Sequence, residues 1–127
     1  MRKTWRYRRG DIYIADLDPV IGSEQGGKRP VLLLQNDIGN LHGPTLIIAP
    51  ISSQTDKKPN LPTHCIFEGI PFLLGPSVVM LEQIRTIDKA RIRRYLGSLS
   101  FAQMAEIDPA IDISLGIHRK DPSVCDS

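Results

Sequence analysis

Between residues 22 and 29 the chain reads Gly22-Ser23-Glu24-Gln25-Gly26-Gly27-Lys28-Arg29. This stretch combines glycines, both signs of charge and an arginine at the mouth of an apolar run. A guanidinium so placed is suited to hold a phosphate through two parallel hydrogen bonds. The stretch is not a P-loop, because Lys28-Arg29-Pro30 breaks the GxxxxGK[ST] spacing. Charged glycine loops are commonly connections and nothing more, so this chemistry stands beside a plain reading as a polar, mobile surface loop.

Two other constellations compete. The histidines are His42, His64 and His118, and a histidine pair could run general acid–base cleavage of RNA. His64 lies between Thr63 and Cys65 in a strand-like run, where a lone histidine is more often a surface or core residue. Glu82 and Asp88 form a carboxylate pair of the kind that binds Mg²⁺, but they are six residues apart and read as belonging to different elements. No Cys/His spacing suits zinc, the cysteines being Cys65 and Cys125.

The elements that would position these groups are mostly strands. Ile12 to Leu17 is a short β-like run after the Arg9-Gly10-Asp11 turn, ended by Asp18-Pro19. A loop from Val20 to Lys28 precedes Pro30–Gln35, a continuous apolar strand expected at the centre of a sheet. Asn36-Asp37 and Gly39-Asn40 are turn signals, and Thr45–Ile51 is a second buried strand. A polar loop over residues 54–61 separates it from a strand at Thr63–Phe67. Ser77–Leu81 and Gln83–Ile87 read as two strands or one bent one, and Ile92–Leu99 as strand or helix. The C-terminal helix is the clearest element. Ser100 and Gln103 make a capping box, and Phe101, Met104, Ile107, Ile111 and Leu115 give one apolar face. Pro109 interrupts this helix or starts a second one. The fold class is mainly β (α+β), a barrel-like antiparallel sheet of five to seven strands with a terminal helix.

Composition sets the frame. The 127 residues suit one domain with its own core, and 41% hydrophobic with 24% charged residues is ordinary for a globular chain. Ten glycines and ten prolines favour short strands and many turns. Aromatic residues are 6%, so no platform for stacking bases stands out. The net charge of +2 neither requires nor excludes a nucleic-acid partner. The basic residues cluster, however, as Arg2, Lys3, Arg6, Arg8 and Arg9, and as Arg85, Lys89, Arg91, Arg93 and Arg94. Solvated faces and phosphate attraction are equally good readings of both clusters. The longest apolar run, Leu46–Ile51, is too short to span a bilayer. The charged N-terminus lacks the apolar core of a signal peptide, so a reducing cytoplasm is the expected compartment.

Arg9-Gly10-Asp11-Ile12-Tyr13 with Asp16-Leu17, the glycine loop, Arg29-Pro30-Val31-Leu32, Gln35-Asn36-Asp37 and Leu81-Glu82-Gln83-Ile84-Arg85-Thr86-Ile87-Asp88 occur in one order. Together they closely resemble the MazF/PemK family of toxin endoribonucleases, over roughly residues 9 to 117. The resemblance implies residues 1–8 as a basic extension, 9–117 as one toxin domain and 118–127 as a flexible tail. It implies an SH3-type barrel, a homodimer, and an antitoxin whose peptide lies across the RNA groove. Through that antitoxin the complex would reach operator DNA. It implies sequence-specific cutting of single-stranded RNA with no metal or other cofactor.

The family's catalytic arginine maps onto Arg29. Its threonine maps onto Ser52, which keeps the hydroxyl and loses the methyl, with Ser53 as the alternative if the register differs by one. Gln83 and Arg85 match a stretch lining the RNA groove, joined by Gln25 and Asn36, and Glu24 is a candidate base. Lys28, Pro50 and Pro109 depart from the family pattern. The competing function is that of gyrase-binding toxins of the same barrel, which trap a protein and cut nothing.

Overall fold

The computed structural model describes residues 6–53 and 61–117. His118, Cys125, the polar loop expected from residue 54 up to Leu61, and the expected tail fall outside them, apart from Leu61 itself. Seven strands form one antiparallel system: β1 (Asp11–Asp16), β2 (Lys28–Leu33), β3 (Thr45–Ser53), β4 (His64–Phe67), β5 (Ser77–Met80), β6 (Arg85–Asp88) and β7 (Ile92–Ser98). The strand order is β4-β5-β3-β2-β1-β7, with β6 paired to the first half of β3. Two helices, α1 (Asp37–His42) and α2 (Phe101–Leu115), complete it.

The central strands are apolar on both faces because both faces are covered. Along β1–β3, Tyr13, Ala15, Val31, Leu33, Leu46 and Ile48 enter one core with Ile87 of β6. The alternate residues Ile12, Leu32, Ala49 and Ile51 enter a second core, closed by Val79 of β5 and by Met104 and Ile107 of α2.

β3 belongs to two sheets in succession. Its residues Ile48 to Pro50 pair with β2, ending at Val31↔Pro50, and Ile51 to Ser53 pair with β5. Past Val31, the residues Lys28 to Pro30 of β2 pair with β1 alone. The two strands therefore part like a fork, flanked by Pro30 and Pro50, neither of which has an N–H to give a ladder.

Several expectations change. Asn36 to His42 is a helical turn rather than two turns, because Asn36 accepts from the Gly39 N–H as an N-cap. The segment from Ser77 to Asp88 is two strands split by a 3-10 turn at Leu81–Gln83, and Ile92–Ser98 is a strand. The capping box of Ser100 and Gln103 forms as expected. The helix runs unbroken through Pro109, and its buried row is Met104, Ile107 and Ala110. Phe101, 94% exposed, and Leu115, 59% exposed, stay outside that row. Near the helix end it is Ser114 that meets the core, donating to Leu81 O. The end of the expected basic extension also packs on the domain. The Tyr7 ring lies 5.2 Å from that of Tyr13, and Arg8 N donates to the buried Asp11.

Candidate functional site

The fork between β2 and β3 places Arg29 and Ser52 on opposite lips. Continuing the Val31↔Pro50 register by two residues sets them across from each other. Both line one open pocket of about 360 Å³, whose far wall is Phe72, Leu73 and Leu74. The guanidinium is held from three directions. Nε donates to Gly26 O at 2.7 Å, and Nη1 reaches across the fork to Ile51 O at 3.4 Å. The Gln25 amide, turned with Oε1 toward the guanidinium, accepts from Nη1 at 3.1 Å and Nη2 at 2.9 Å. Burial lowers the Arg29 pKa, and the nearby charge of Asp18 pulls it back up. A partly buried cation held in place by these hydrogen bonds has the geometry to bind an anionic group.

Ser52 is half-buried beside Val78 of β5, and its hydroxyl makes no hydrogen bond to another described residue. Ser53, one residue on, is exposed and lines the same pocket. Lys28 and Arg94 add two further cations to this pocket. Arg94 stands across from Ile14 in the β1–β7 pairing, a long-range relation that no local motif announces.

A second open pocket, of about 480 Å³, is bordered by Ile21, Glu24, Glu82, Gln83 and Arg85. The glycine loop is tied to its surroundings at several points. Gln83 Oε1 accepts from Gln25 N at 2.9 Å, and Gln83 Nε2 donates to Ser23 O at 3.2 Å. Arg85 Nη1 donates to Leu17 O, and Asp18 Oδ1 accepts from Gly27 N. Glu24 turns its carboxylate back to Ile21 N, closing its own turn. Asn36 lines neither pocket and serves as the cap of α1.

The basic clusters are largely internal struts. Arg91 donates to Asp16 O and Asp18 O, Lys89 to Asn40 O, and Arg9 to Leu34 O and Asp108. Among the described residues of these clusters, Arg94 turns to the pocket lined by Arg29.

The histidines His42 and His64 and the carboxylates Glu82 and Asp88 do not line the pocket that holds Arg29. Glu82 is engaged by Thr63 Oγ1 and by His64 Nε2, each at 2.9 Å, while Asp88 caps the 3-10 turn that follows it. Among the described residues no three His, Cys, Asp or Glu side chains converge as metal ligands would. His42 is exposed at the end of α1. Burial, helped by Glu106, pushes the Cys65 thiol up, and its Sγ donates to Glu106 O, both of which favour the protonated thiol. No helix among the described residues is long and apolar enough to cross a membrane.

The split strands of this antiparallel sheet thus present a guanidinium on β2 opposite a hydroxyl on β3 across one open pocket. Residues 8–115 match the family model described as PemK-like, MazF-like toxin of type II toxin–antitoxin system. The chain belongs to that family. It is 53% identical over 112 residues to a protein named Endoribonuclease MazF from Staphylococcus saprophyticus, covering 87% of this chain and 92% of that one. Among solved structures, an endoribonuclease in complex with its cognate antitoxin from a mycobacterial species superposes with a TM-score of 0.72 at 25% identity, covering 87% of this chain and 96% of that one. MazF from Deinococcus radiodurans shares the fold with a TM-score of 0.76 at 23% identity, over 88% and 98% of the two chains.

Proposed function

We propose that this chain, a toxin endoribonuclease, cuts single-stranded RNA at a short sequence by making the RNA attack itself, with no metal ion. The observation that carries the reading is the fork: Arg29 and Ser52 face one open pocket, the first held rigidly and the second uncommitted. In the proposed step the ribose 2′-oxygen attacks phosphorus and the bond to the 5′-oxygen breaks. The 2′-hydroxyl proton leaves to a base, and the 5′-oxygen gains one. The products are a 2′,3′-cyclic phosphate and a 5′-hydroxyl. Arg29 stabilises the charge gathering on the non-bridging oxygens and donates toward the leaving oxygen, and Ser52 donates to a non-bridging oxygen. The guanidinium keeps its proton at neutral pH and so has no free base form to take the 2′-hydroxyl proton.

The strand bearing the scissile bond would run past the pocket bordered by Glu24, Gln83 and Arg85, with Gln25 between it and Arg29. The family relation supports a homodimer acting in the cytoplasm and neutralised by a cognate antitoxin, through which the complex reaches operator DNA. Growth and translation would stop as messenger RNA is cut.

One oligonucleotide pair tests the chemistry. A strand with a single deoxyribose immediately 5′ of the cut should resist cleavage while still binding, since only RNA offers the 2′-hydroxyl. The all-ribose strand should be cut in excess chelator, with the ends identified by mass. Cutting of the deoxy strand at the same bond, or a strict need for added Mg²⁺, overturns the mechanism. Intact RNA under all conditions favours the protein-trapping alternative.

A further inference from the structure

We infer that Gln83 is a positioning residue for Arg29: its amide clamps the glycine loop on both sides of Glu24 and thereby sets the guanidinium. The inference rests on the role proposed for Arg29.

The clamp starts from a fixed base. Gln83 ends the 3-10 turn that begins at Leu81, a residue with no exposed surface. Leu81 N donates to Thr63 O, and Leu81 O accepts from Ser114 of α2, so the turn is tied to β4's approach and to the terminal helix. From this base the side chain reaches a segment 58 positions earlier in sequence. There it does two things at once, accepting from Gln25 N and donating to Ser23 O. A primary amide carries both an acceptor and donors, so it can stand in for a strand partner where the loop has none.

Other contacts hold the ends of the loop or act within it. Leu17 N donates to Gly27 O, Asp18 accepts from Gly27 N, and Arg85 holds Leu17 O. Glu24 and Ile21 only close a local turn. Among the described residues, Gln83 grips the middle of the loop from outside. Directly beyond the grip, Gln25 Oε1 takes both Nη groups of Arg29 and Gly26 O takes Nε. A chain of hydrogen bonds thus runs from the core through Gln83 and Gln25 to the guanidinium. Charge stabilisation depends on donors fixed before the reaction, and misplacement by about 1 Å can cost roughly a hundredfold in rate.

The alternative is that Gln83 reads the RNA directly, and kinetics separate the two. The full-length Gln83→Met and Gln83→Glu variants, checked for folding by thermal melting, are assayed on a single-stranded oligonucleotide. The Arg29 Nε–H resonance is followed in parallel by ¹⁵N NMR. For Gln83→Met the expected result is a fall in kcat of roughly ten- to a hundredfold, with KM nearly unchanged. The Arg29 Nε–H should exchange with solvent roughly tenfold faster as its bond to Gly26 O loosens. Gln83→Glu keeps the acceptor for Gln25 N but repels Ser23 O, so it should fall between. In an Arg29→Ala background, Gln83→Met should add no further loss, because both act through one group.

A raised KM with unchanged kcat, an unchanged Arg29 resonance, or losses that multiply in the double variant would each overturn the clamp. If Arg29→Ala alone cleaves normally, the catalytic role of Arg29 fails. The resonance still reports whether Gln83 holds it.

Discussion

The ring of Phe72 fills the space that a side chain at Gly97 would need: a β-carbon there would stand 2.4 Å from Cε2 and 2.6 Å from Cδ2. Gly97 is held in β7 by its pairing with Ile12, so the strand has little room to retreat. Phe72 is also a wall of the pocket that holds Arg29. Gly97→Ala should displace the ring, destabilise the fold by roughly 1–3 kcal/mol and weaken substrate binding. Chemical denaturation and KM together check this; an alanine variant as stable as the parent would show that the ring swings aside freely.

Arg29→Ala should lower kcat by roughly two orders of magnitude or more, the usual loss for a charge-stabilising donor. Melting temperature should barely move, since the side chain is half-exposed at the end of β2. Arg29→Lys should restore little. A lysine cannot occupy Gly26 O, Ile51 O and Gln25 together while presenting a planar fork. Near-normal cleavage by either folded variant would remove Arg29 from the chemistry.

Ser52→Thr should keep activity, and Ser52→Ala should lose most of it with kcat rather than KM affected. Normal cleavage by Ser52→Ala with a dead Ser53→Ala would move the functional hydroxyl one residue along β3.

The Glu82–His64 pair gives the fold an acid-sensitive joint. Burial pushes the Glu82 carboxyl up, but hydrogen bonds from His64, its own backbone and Thr63, with the charge of His64, bring it net below its ordinary value of 4.5. A carboxylate depressed in the folded state stabilises it above about 4.5 and loses that contribution as pH falls through the folded pKa. Melting curves between neutral pH and about pH 3 should show the wild type losing more stability than Glu82→Gln below that point. Parallel curves for the two proteins would contradict the assignment.

Pro109 lies exposed inside α2 and withholds an N–H from the helix ladder. An interior proline costs about 3 kcal/mol, partly offset because proline also restricts the unfolded chain. Pro109→Ala should therefore raise stability by about 1–2 kcal/mol and leave cleavage unchanged, as read by denaturant midpoint and initial rate. A lower midpoint would mean that the proline is better accommodated than its missing donor suggests.

Much of this was legible before any coordinates. The capping box of Ser100 and Gln103 is local, so three residues suffice to read it. The alternation and length of the apolar runs announce the strands, and an arginine two residues after a double glycine marks the loop. What stayed hidden depends on partners far apart in sequence. The length of Gln83 says nothing of its grip on Ser23 and Gln25, and Arg94 enters the pocket only through the register of β7 on β1. Asn36 also caps α1 through its own hydrogen bond, a role the pattern of its neighbours does not announce. The helix face was misplaced at both ends because spacing fixes which residues share a stripe, and only the docked sheet decides how much of the stripe is covered.

The fork has a consequence for how the molecule would fail on heating. Arg29 is carried by the sheet that contains β1, and Ser52 by the short sheet of β4 and β5, which meets the first only along β3. The gap between the two side chains is thus a goniometer for the angle between the sheets. The four-residue strand at the outer edge, His64–Phe67, pairs with one strand alone among the described residues, β5, so opening should begin there, once its ties to Glu82 and Glu106 loosen, before the centre melts. Catalysis should then fade at temperatures where circular dichroism still records an intact protein, and return on cooling without any refolding event.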